Sequence, residues 1–112
     1  MPYTVKLVSN KIPSIPAELK DAAVAEVKRT AFDIQAEAQR IVPVRTGTLR
    51  RSIHTVTSEE GLHAEVGPSV EYGLYVEFGA RGRSARPYMR PAAAKVLPAF
   101  LERMRELCQG LG

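Results

Sequence analysis

Two histidines are the residues of this sequence that come nearest to forming a metal site. His54 and His63 lie on adjoining predicted strands, where they could be cross-strand neighbours and bind zinc through their ring nitrogens. Zinc needs at least a third protein ligand, and the single cysteine, Cys108, is distant in the sequence. We therefore interpret both histidines as ordinary surface residues and expect neither a metal nor another cofactor.

The remaining groups that could support catalysis also lack a suitable partner. Cys108 lies on the apolar stripe of a predicted helix, which favours a buried, inert thiol over a nucleophile. Glu59 and Glu60 are adjacent in a predicted turn, so their carboxylates would not converge on one point. The range 79–83 contains glycines but lacks the spacing and the Lys-Ser/Thr end of a phosphate-binding loop. The sequence therefore predicts a protein that is not an enzyme.

Arginine is the functional group whose distribution along the chain is most uneven. The 112 residues carry a formal net charge of +4. Residues 38–58 contain four cationic side chains and residues 78–101 contain five, and neither range contains an acidic residue. A guanidinium group is a planar set of donors that suits carboxylates, phosphates and the backbone carbonyls of a partner. The two ranges therefore indicate an interface, and a solvated basic face is the alternative interpretation.

Length and composition predict one soluble globular domain. The apolar fraction of 45% and the charged fraction of 25% are ordinary for such proteins and argue against global disorder. No apolar run approaches the roughly 20 residues needed to span a bilayer, so no membrane partner is expected. A single cysteine excludes an intrachain disulfide and fits a reducing compartment such as a cytoplasm.

The N-terminal part of the chain predicts a short strand and a long helix. Residues 3–8 alternate as a strand, and prolines interrupt the lead-in up to residue 16. Residues 17–42 carry apolar side chains at steps of three and four, which predicts an amphipathic helix with an alanine-rich stripe. The stripe consists of Val24, Val27, Ala31, Ile34, Ala38 and Ile41.

An elbow follows the long helix at residues 42–53. Pro43 ends the helix, because a residue that precedes proline is disfavoured in the helical region. Thr46-Gly47-Thr48 then turns the chain, and the paired arginines Arg50 and Arg51 are placed at the start of a predicted strand. Nothing in the elbow is chemically reactive, so it suggests docking against another macromolecule.

The central part of the chain predicts a hairpin followed by an aromatic segment. Strands at residues 51–57 and 62–66 are joined by the turn 58–61, which ends in glycine. Residues 72–79 suit a helical turn and a strand equally well by their spacing.

The C-terminal part predicts a loop and a second helix. Residues 80–90 form an arginine-rich loop by composition, and residues 91–108 form a helix that opens with a proline. Pro98 inside this helix is expected to kink it or to lie in the first turn of a restarted helix. Its apolar face is predicted to consist of Val96, Leu97, Phe100, Leu101, Met104, Leu107 and Cys108.

Three segments carry a resemblance to a known family. Residues 42–53 resemble the pattern Pro-Val-Asp-Thr-Gly followed by Leu-Arg and Ser-Ile. Residues 72–79 resemble Tyr-Ala-x-Tyr-Val-Glu-Phe-Gly, and residues 85–92 resemble Ala-Arg-Pro-Phe-Leu-Arg-Pro-Ala. In this order, over roughly residues 24–101, the segments resemble the small neck or tail-completion proteins of long-tailed bacteriophages, the head–tail junction family of lambda-like siphophages.

The chain departs from the family pattern at a few positions. Arg45 stands where the pattern has aspartate, which inverts a charge at the elbow, and Ala80 stands where relatives often have threonine. Gly73 replaces an alanine, and Tyr88 and Met89 replace phenylalanine and leucine.

The resemblance implies a fold and an assembly. The implied fold is α+β, with a small antiparallel sheet packed on the long helix and a second, C-terminal helix beside it. The implied function is that of a virion structural protein of the head–tail interface, assembled in the host cytoplasm as a homo-oligomeric ring with six-fold symmetry. Its implied partners are the connector or head-closure proteins and the tail tube or terminator, and arginines in the lumen could lie near DNA.

The same resemblance and the residue chemistry together nominate site residues. We expect these arginines to contact a neighbouring subunit or a partner: Arg45, Arg50, Arg51, Arg81, Arg83, Arg86 and Arg90. The residues expected to build the motifs are Pro43, Thr46, Gly47, Leu49, Ser52, Tyr72, Tyr75, Glu77, Phe78, Gly79, Pro87 and Pro91. The aromatic residues Tyr72, Tyr75, Phe78 and Tyr88 are expected to pack in the core or between subunits rather than to anchor a partner directly.

A nucleic-acid-binding module is the alternative function. Phosphate contacts need cationic groups such as those of the two acid-free ranges. Against this alternative, aromatic residues are not interleaved with the arginines along the sequence, and no stacking platform for bases is evident.

Overall fold

A computed structural model of the chain describes residues 5–8, 17–43, 47–70, 72–79, 82 and 84–109. The described residues form two long helices, two short helices and three strands. In chain order these are β1 (Val5–Val8), α1 (Ala17–Ile41), α2 (Thr48–Ser52), β2 (Ile53–Thr57), β3 (His63–Pro68), α3 (Tyr72–Phe78) and α4 (Met89–Gln109). The α+β class is therefore confirmed, with a sheet on the long helix and a second helix at the C-terminal side.

The sheet is antiparallel and has the strand order β1-β3-β2. Val66 in the central strand pairs with Val5 on one side and with Thr55 on the other. Side chains alternate across a strand, so Ala64 and Val66 point to one face, where both are fully buried. This face contacts α1 and forms the sheet side of the core.

The long helix α1 forms the other side of the core, and its predicted stripe is buried as expected. Val27, Ala31, Ile34 and Ala38 are fully buried, whereas Val24 and Ile41 near the two ends are partly exposed. Alanine has only a methyl side chain, so the sheet and α4 can both pack close to this helix. A hydrogen bond from Thr55 Oγ1 to Gln35 Oε1, 2.8 Å long, also joins β2 to α1.

The second long helix α4 runs antiparallel to α1. Two ion pairs establish this direction, because Lys95 near the start of α4 binds Glu37 and Arg103 near its end binds Glu26. The Lys95 Nζ to Glu37 Oε1 distance is 3.0 Å, and Arg103 Nη2 also donates to Thr30 Oγ1 at 3.2 Å. Charged groups thus flank the apolar contact between the two helices.

Two prolines lie in α4, one in its first turn and one in its interior. The helix begins at Met89, two residues before the predicted start, and Pro91 lies in its first turn, where no intrahelical N–H donor is needed. Of the two alternatives predicted at Pro98, a restarted helix is wrong, because α4 is continuous through this residue, and a kink stays a prediction. Pro98 cannot donate to the Ala94 carbonyl, and both residues are exposed, so water can satisfy that carbonyl.

The predicted apolar face of α4 is only partly confirmed. Phe100 is buried, and Val96, Leu97 and Met104 pack against the core cluster. Leu101 is exposed instead, and the Cys108 side chain lies outside the described part of the structure.

The elbow differs from its prediction. The strand predicted to begin at Arg51 begins at Ile53, and Arg51 and Ser52 belong to the short helix α2. Gly47 has a φ of 80°, and its carbonyl accepts the Arg51 N–H at 3.0 Å, which closes a helical turn. Leu49 on this turn is buried in the core, and this burial outweighs the strand preference of the sequence.

The hairpin is close to its prediction, and the aromatic segment adopts one of its two predicted conformations. β3 runs to Pro68, two residues beyond the predicted end, and Gly61 in the turn before it has a φ of 76°. The aromatic segment is the helix α3, not a strand. His54 pairs with Gly67 in the sheet register and His63 with Val8, so the two histidines are not cross-strand neighbours.

Candidate docking surface

The three sequence motifs meet at one end of the sheet. α2 leads into β2 at Ile53, which pairs with Pro68 at the end of β3. The Ser69 N–H donates to the Ser52 carbonyl at 3.1 Å, so the chain leaving β3 is held beside α2. α3 follows at once and contacts the start of α4. We call this region, consisting of residues 47–52, 72–79 and 86–92, the motif end.

Glu77 joins α3 to α4 at the motif end. Its side chain is fully buried. Oε1 accepts the backbone N–H of Tyr88 at 3.1 Å and that of Met89 at 2.8 Å, and Oε2 accepts the N–H of Arg90 at 3.2 Å. The first N–H groups of a helix have no partner within it, and a negative charge suits this end of the helix dipole. Glu77 therefore caps α4 from a different element.

Gly73 and Tyr88 form a second connection between α3 and α4. The buried Tyr88 hydroxyl donates to the Gly73 carbonyl at 2.8 Å. A Cβ at Gly73 would lie 2.7 Å from that hydroxyl and 2.6 Å from Pro68 Cγ. The hydroxyl thus occupies space that a methyl group would need. Gly73 and Tyr88, the two positions at which the chain has glycine for alanine and tyrosine for phenylalanine relative to the resembled pattern, are therefore in direct contact.

Arg90 is committed to contacts within the chain. Its guanidinium carbon lies 4.7 Å from the centre of the Phe78 ring, a cation–π distance. Its Nε lies 3.4 Å from Glu77 Oε2. Arg90, which the sequence predicts to contact a partner, therefore stabilises the packing of α3 against α4 within the chain.

The aromatic residues of α3 are exposed. Relative exposure is 44% for Tyr72, 57% for Tyr75 and 48% for Phe78, whereas Gly73 and Glu77 on the other side of the helix are buried. Of the two alternatives predicted for these aromatics, packing in the core applies to Tyr88, which is fully buried, and not to the three residues of α3. Packing of those three between subunits stays a prediction. The buried side of α3 is occupied by Gly73 and Glu77, the residues that contact the start of α4, so the three aromatic residues lie on its other sides.

The paired arginines lie on α2, which leads into β2 at the motif end. Arg50 and Arg51 are exposed, and neither forms an ion pair with a residue that the structure describes. Arg51 Nη2 lies 3.5 Å from Thr48 Oγ1, and its guanidinium covers Gly47. The two side chains therefore present charge outward from the motif end.

Carboxylates from elsewhere in the chain reach some of the cations of the two acid-free ranges. Glu37 accepts hydrogen bonds from both Arg40 and Lys95, one from each range. These two cations lower the pKa of Glu37 from 4.5 to about 2. Ranges without acidic residues in the sequence are thus not free of them in space, because one cation of each range, Arg40 and Lys95, is paired with a carboxylate of α1.

The other predicted site residues have mixed outcomes. Leu49 is buried, the Ser52 hydroxyl donates to the Leu49 carbonyl at 2.7 Å, and the Gly79 N–H donates to the Tyr75 carbonyl at 2.8 Å. Arg86 is exposed and its N–H donates to the Val76 carbonyl at 2.8 Å. Pro43 follows α1 as predicted, and Pro87 is exposed before α4. Arg45, Thr46, Ala80, Arg81 and Arg83 lie outside the described residues.

Metal-binding and membrane-spanning features are absent from the part of the chain that the structure describes. Its residues contain no group of three or more histidine, cysteine, aspartate or glutamate side chains that could hold a metal ion. None of the helices described is long and apolar enough to cross a membrane.

The hydrogen bonds between the buried Glu77 and the start of α4 were not predicted from the sequence. Glu77 itself is among the predicted motif residues, because it lies in the aromatic segment. Its contact with Tyr88, eleven residues away, leaves no periodic signal in the sequence.

Comparison with known proteins places the chain in a family. Residues 8–79 match the model of the HK97-gp10-like family, described as "Bacteriophage HK97-gp10, putative tail-component". The matched range covers α1, α2, both strands of the hairpin and α3, and ends before α4. No curated protein and no solved structure matches significantly. Because the match extends over more than half of the 112 residues, the chain belongs to the HK97-gp10-like family of bacteriophage tail components.

Proposed function

We propose that this protein is a structural subunit of the phage head–tail interface, where it forms a homo-oligomeric, six-fold ring that joins the connector to the tail tube. Membership in a family of tail components supports a virion role, and such a component contacts other phage structural proteins. The proposal goes beyond family membership in three respects: the ring, its position at the neck and the identity of its neighbours. Its work is assembly, with no chemical turnover and no cofactor.

The motif end is the observation that carries this proposal. It gathers segments that are far apart in the sequence. It leaves arginine side chains exposed on α2 and aromatic side chains exposed on α3, and buried hydrogen bonds to Tyr88 and Met89 hold α3. Tyrosine and arginine are the residues that most often dominate binding energy at protein interfaces. A rigidly held surface of this composition is what a docking subunit needs, because little freedom is lost when it binds.

Electron microscopy of purified particles of the parent phage tests the proposal. We expect density for this chain as a closed ring between the connector and the tail tube, and mass spectrometry of the same particles should detect its peptides. Particles that carry complete tails but lack the chain would contradict the structural function. The chain found along the tail shaft would contradict the neck position and leave a tail component.

The arginine loop provides a second test of the same proposal. Replacing Arg81 and Arg83 together with alanine should leave the folded chain intact and impair the joining of heads to tails. Loss of thermal stability with normal joining would reverse this assignment of the loop to docking.

Nucleic-acid binding is the second candidate, and one observation favours it. Aromatic residues and arginines that are separate in the sequence lie together at the motif end, as the contact between Arg90 and Phe78 demonstrates. The folded chain therefore places an aromatic ring and a cation together, as a platform for stacking bases requires, although they are separate in the sequence. The two functions overlap physically, since a ring around the DNA path can expose arginines to its lumen.

Titration of duplex DNA at several salt concentrations separates the two candidates. A nucleic-acid-binding module should bind measurably at low salt, with an affinity that falls steeply as salt rises, because phosphate contacts release counterions. Replacing Arg50 and Arg51 with alanine should then reduce the salt dependence. If binding is undetectable even at low salt, the nucleic-acid function is excluded and assembly remains.

A further inference from the structure

We infer that the exposed tyrosines of α3 receive the arginines of α2 from a neighbouring copy of this chain. The inference rests on the proposed ring and names the surfaces through which it would close. Tyr72 and Tyr75 would form one half of the contact, and Arg50 and Arg51 would form the other.

The α3 half is suited to a planar cation. Tyr72 and Tyr75 are 44% and 57% exposed, and a tyrosine ring has an electron-rich face that attracts guanidinium groups. The chain already uses this pairing internally, where Arg90 lies over Phe78 at 4.7 Å. The backbone of α3 is fixed from behind by hydrogen bonds at Glu77 and Gly73, so the two rings are presented on a rigid support.

The α2 half presents two exposed cations. Neither Arg50 nor Arg51 forms an ion pair with a residue that the structure describes. Glu77 and Glu37 are engaged within the chain, because Glu77 caps α4 and Glu37 binds Arg40 and Lys95. Both copies also carry a formal net charge of +4. An aromatic face attracts a cation without carrying a negative charge, so the exposed rings of Tyr72 and Tyr75 are complementary to these two guanidinium groups.

Closed rings require two different surfaces on each subunit. A heterologous contact joins one surface of a subunit to another surface of the next and closes if the rotation allows it. α2 and α3 are separate helices, one before β2 and one after β3, so each subunit could give its arginines to one neighbour and its tyrosines to the other.

Site-specific cross-linking in assembled particles tests this contact. In a chain with Cys108→Ser, we combine Thr48→Cys on α2 with Leu74→Cys on α3, which leaves Arg50, Arg51, Tyr72 and Tyr75 in place, and treat particles with a short bismaleimide. We expect a ladder of covalent oligomers in the combined variant and no cross-links in either single variant. The matched control replaces the exposed Glu59, in the turn at the other end of the hairpin, with cysteine and pairs it with Leu74→Cys. That control should give no ladder.

Ring chemistry provides a second readout that does not depend on cysteine. Tyr75→Phe keeps the aromatic face and should leave incorporation into particles within about twofold of the wild type, whereas Tyr75→Leu should reduce it by roughly fivefold or more, the effect expected for an interface anchor. Circular dichroism verifies that both variants fold.

Each outcome has a separate meaning. Particles that contain the chain as a ring, without cross-links and with normal incorporation of Tyr75→Leu, would overturn this contact and leave the proposed function intact. Particles that lack the chain would overturn both. Absent cross-links together with salt-sensitive DNA binding that is lost in Arg50→Ala would assign the surface to DNA and overturn the inference.

Discussion

The helix pair α1–α4 and the motif end are stabilised in different ways. The helix pair and the sheet bury a continuous apolar cluster, and ion pairs such as Arg103–Glu26 lie along its margin. The motif end contributes Leu49, Tyr88 and Met89 to the same cluster, but the buried residues of its helix α3 are Gly73 and Glu77. It is held by a buried carboxylate, a buried hydroxyl and the backbone turn at Gly47.

We infer from this difference that the apolar cluster determines the stability of the fold and that the motif end provides the docking surface. Apolar burial is non-directional and supplies the main driving force of folding, so it sets whether the chain folds. Directional hydrogen bonds at the motif end fix two short helices in place and leave their outer sides open to a partner. Substitutions in the two regions should therefore have different consequences, and the following experiments test that contrast.

The largest expected effect is a cavity in the helix pair. Ile34→Ala should lower the free energy of unfolding by about 2–5 kcal/mol, because it removes a fully buried side chain from the core. Phe32→Ala on the exposed side of the same helix should change it by less than about 0.5 kcal/mol. Chemical denaturation measures both, and equal losses would contradict the assignment of the buried stripe.

Loss of the cap on α4 should come next in size. Glu77→Ala leaves three backbone N–H groups at the start of α4 without their acceptor and should lower the free energy of unfolding by about 2–4 kcal/mol. Glu77→Gln keeps one acceptor oxygen and should lose less. The exposed Glu59→Ala is the control. Hydrogen exchange should show lost protection concentrated in α3 and the first turn of α4; uniform loss would mean that the motif end is not a separate unit.

Backbone strain at the elbow should be of intermediate size. Gly47→Val must hold a φ of 80° and should lower the free energy of unfolding by about 1–3 kcal/mol. Thr57→Val is the control, since Thr57 is exposed on β2 and does not have a positive φ. Thermal unfolding of both variants measures the difference. If Gly47→Val costs no more than Thr57→Val, backbone strain at the elbow does not affect folding.

The contact between Gly73 and Tyr88 predicts a coupling rather than a large loss. Gly73→Ala should cost about 1–3 kcal/mol by overpacking, and Tyr88→Phe about 1 kcal/mol by loss of its hydrogen bond. The double variant should cost less than the sum of the two, because removal of the hydroxyl leaves the new methyl group with one clash fewer. A double-mutant cycle in urea measures the coupling, and strict additivity would refute the shared-space explanation.

The smallest expected effect is the pH dependence contributed by Glu37. Its pKa is lowered to about 2 by Arg40 and Lys95, so this stabilisation is complete above the unfolded value near 4.5 and is lost as the pH falls toward 2. Glu37 is at the surface, and solvent screening keeps the effect small. Melting temperatures between neutral and strongly acidic pH should fall slightly less in Glu37→Gln than in the wild type. An unchanged slope would indicate that the ion pairs do not form in solution.

Periodic features of the fold were predictable from the sequence. The α1 stripe repeats at helical steps, and its buried positions Val27, Ala31 and Ile34 were identified from that repeat alone. The hairpin and the helix that contains Pro91 follow from alternation and proline position. The α+β class came from the family resemblance, because element predictions alone do not place a sheet on a helix.

Contacts between distant residues were not predictable in the same way. Arg51 and Ser52 follow a turn and precede a strand, and only the turn at Gly47 and the burial of Leu49 make them helical. Tyr75 is a residue type common in cores, and only the position of Glu77 on the opposite side of α3 determines that it is exposed. Each of these outcomes depends on tertiary contacts that leave no local pattern.

Footprinting of the chain before and after assembly tests the central claim most directly. Hydroxyl-radical labelling would compare the isolated chain with the chain in purified particles, residue by residue. We predict that Tyr72 and Tyr75 on the motif end become protected, while Val56 near the other end of β2 changes little. Protection confined to Phe32 and Leu101 on the two long helices, with the motif-end tyrosines labelled as before, would contradict the assignment of docking to the motif end.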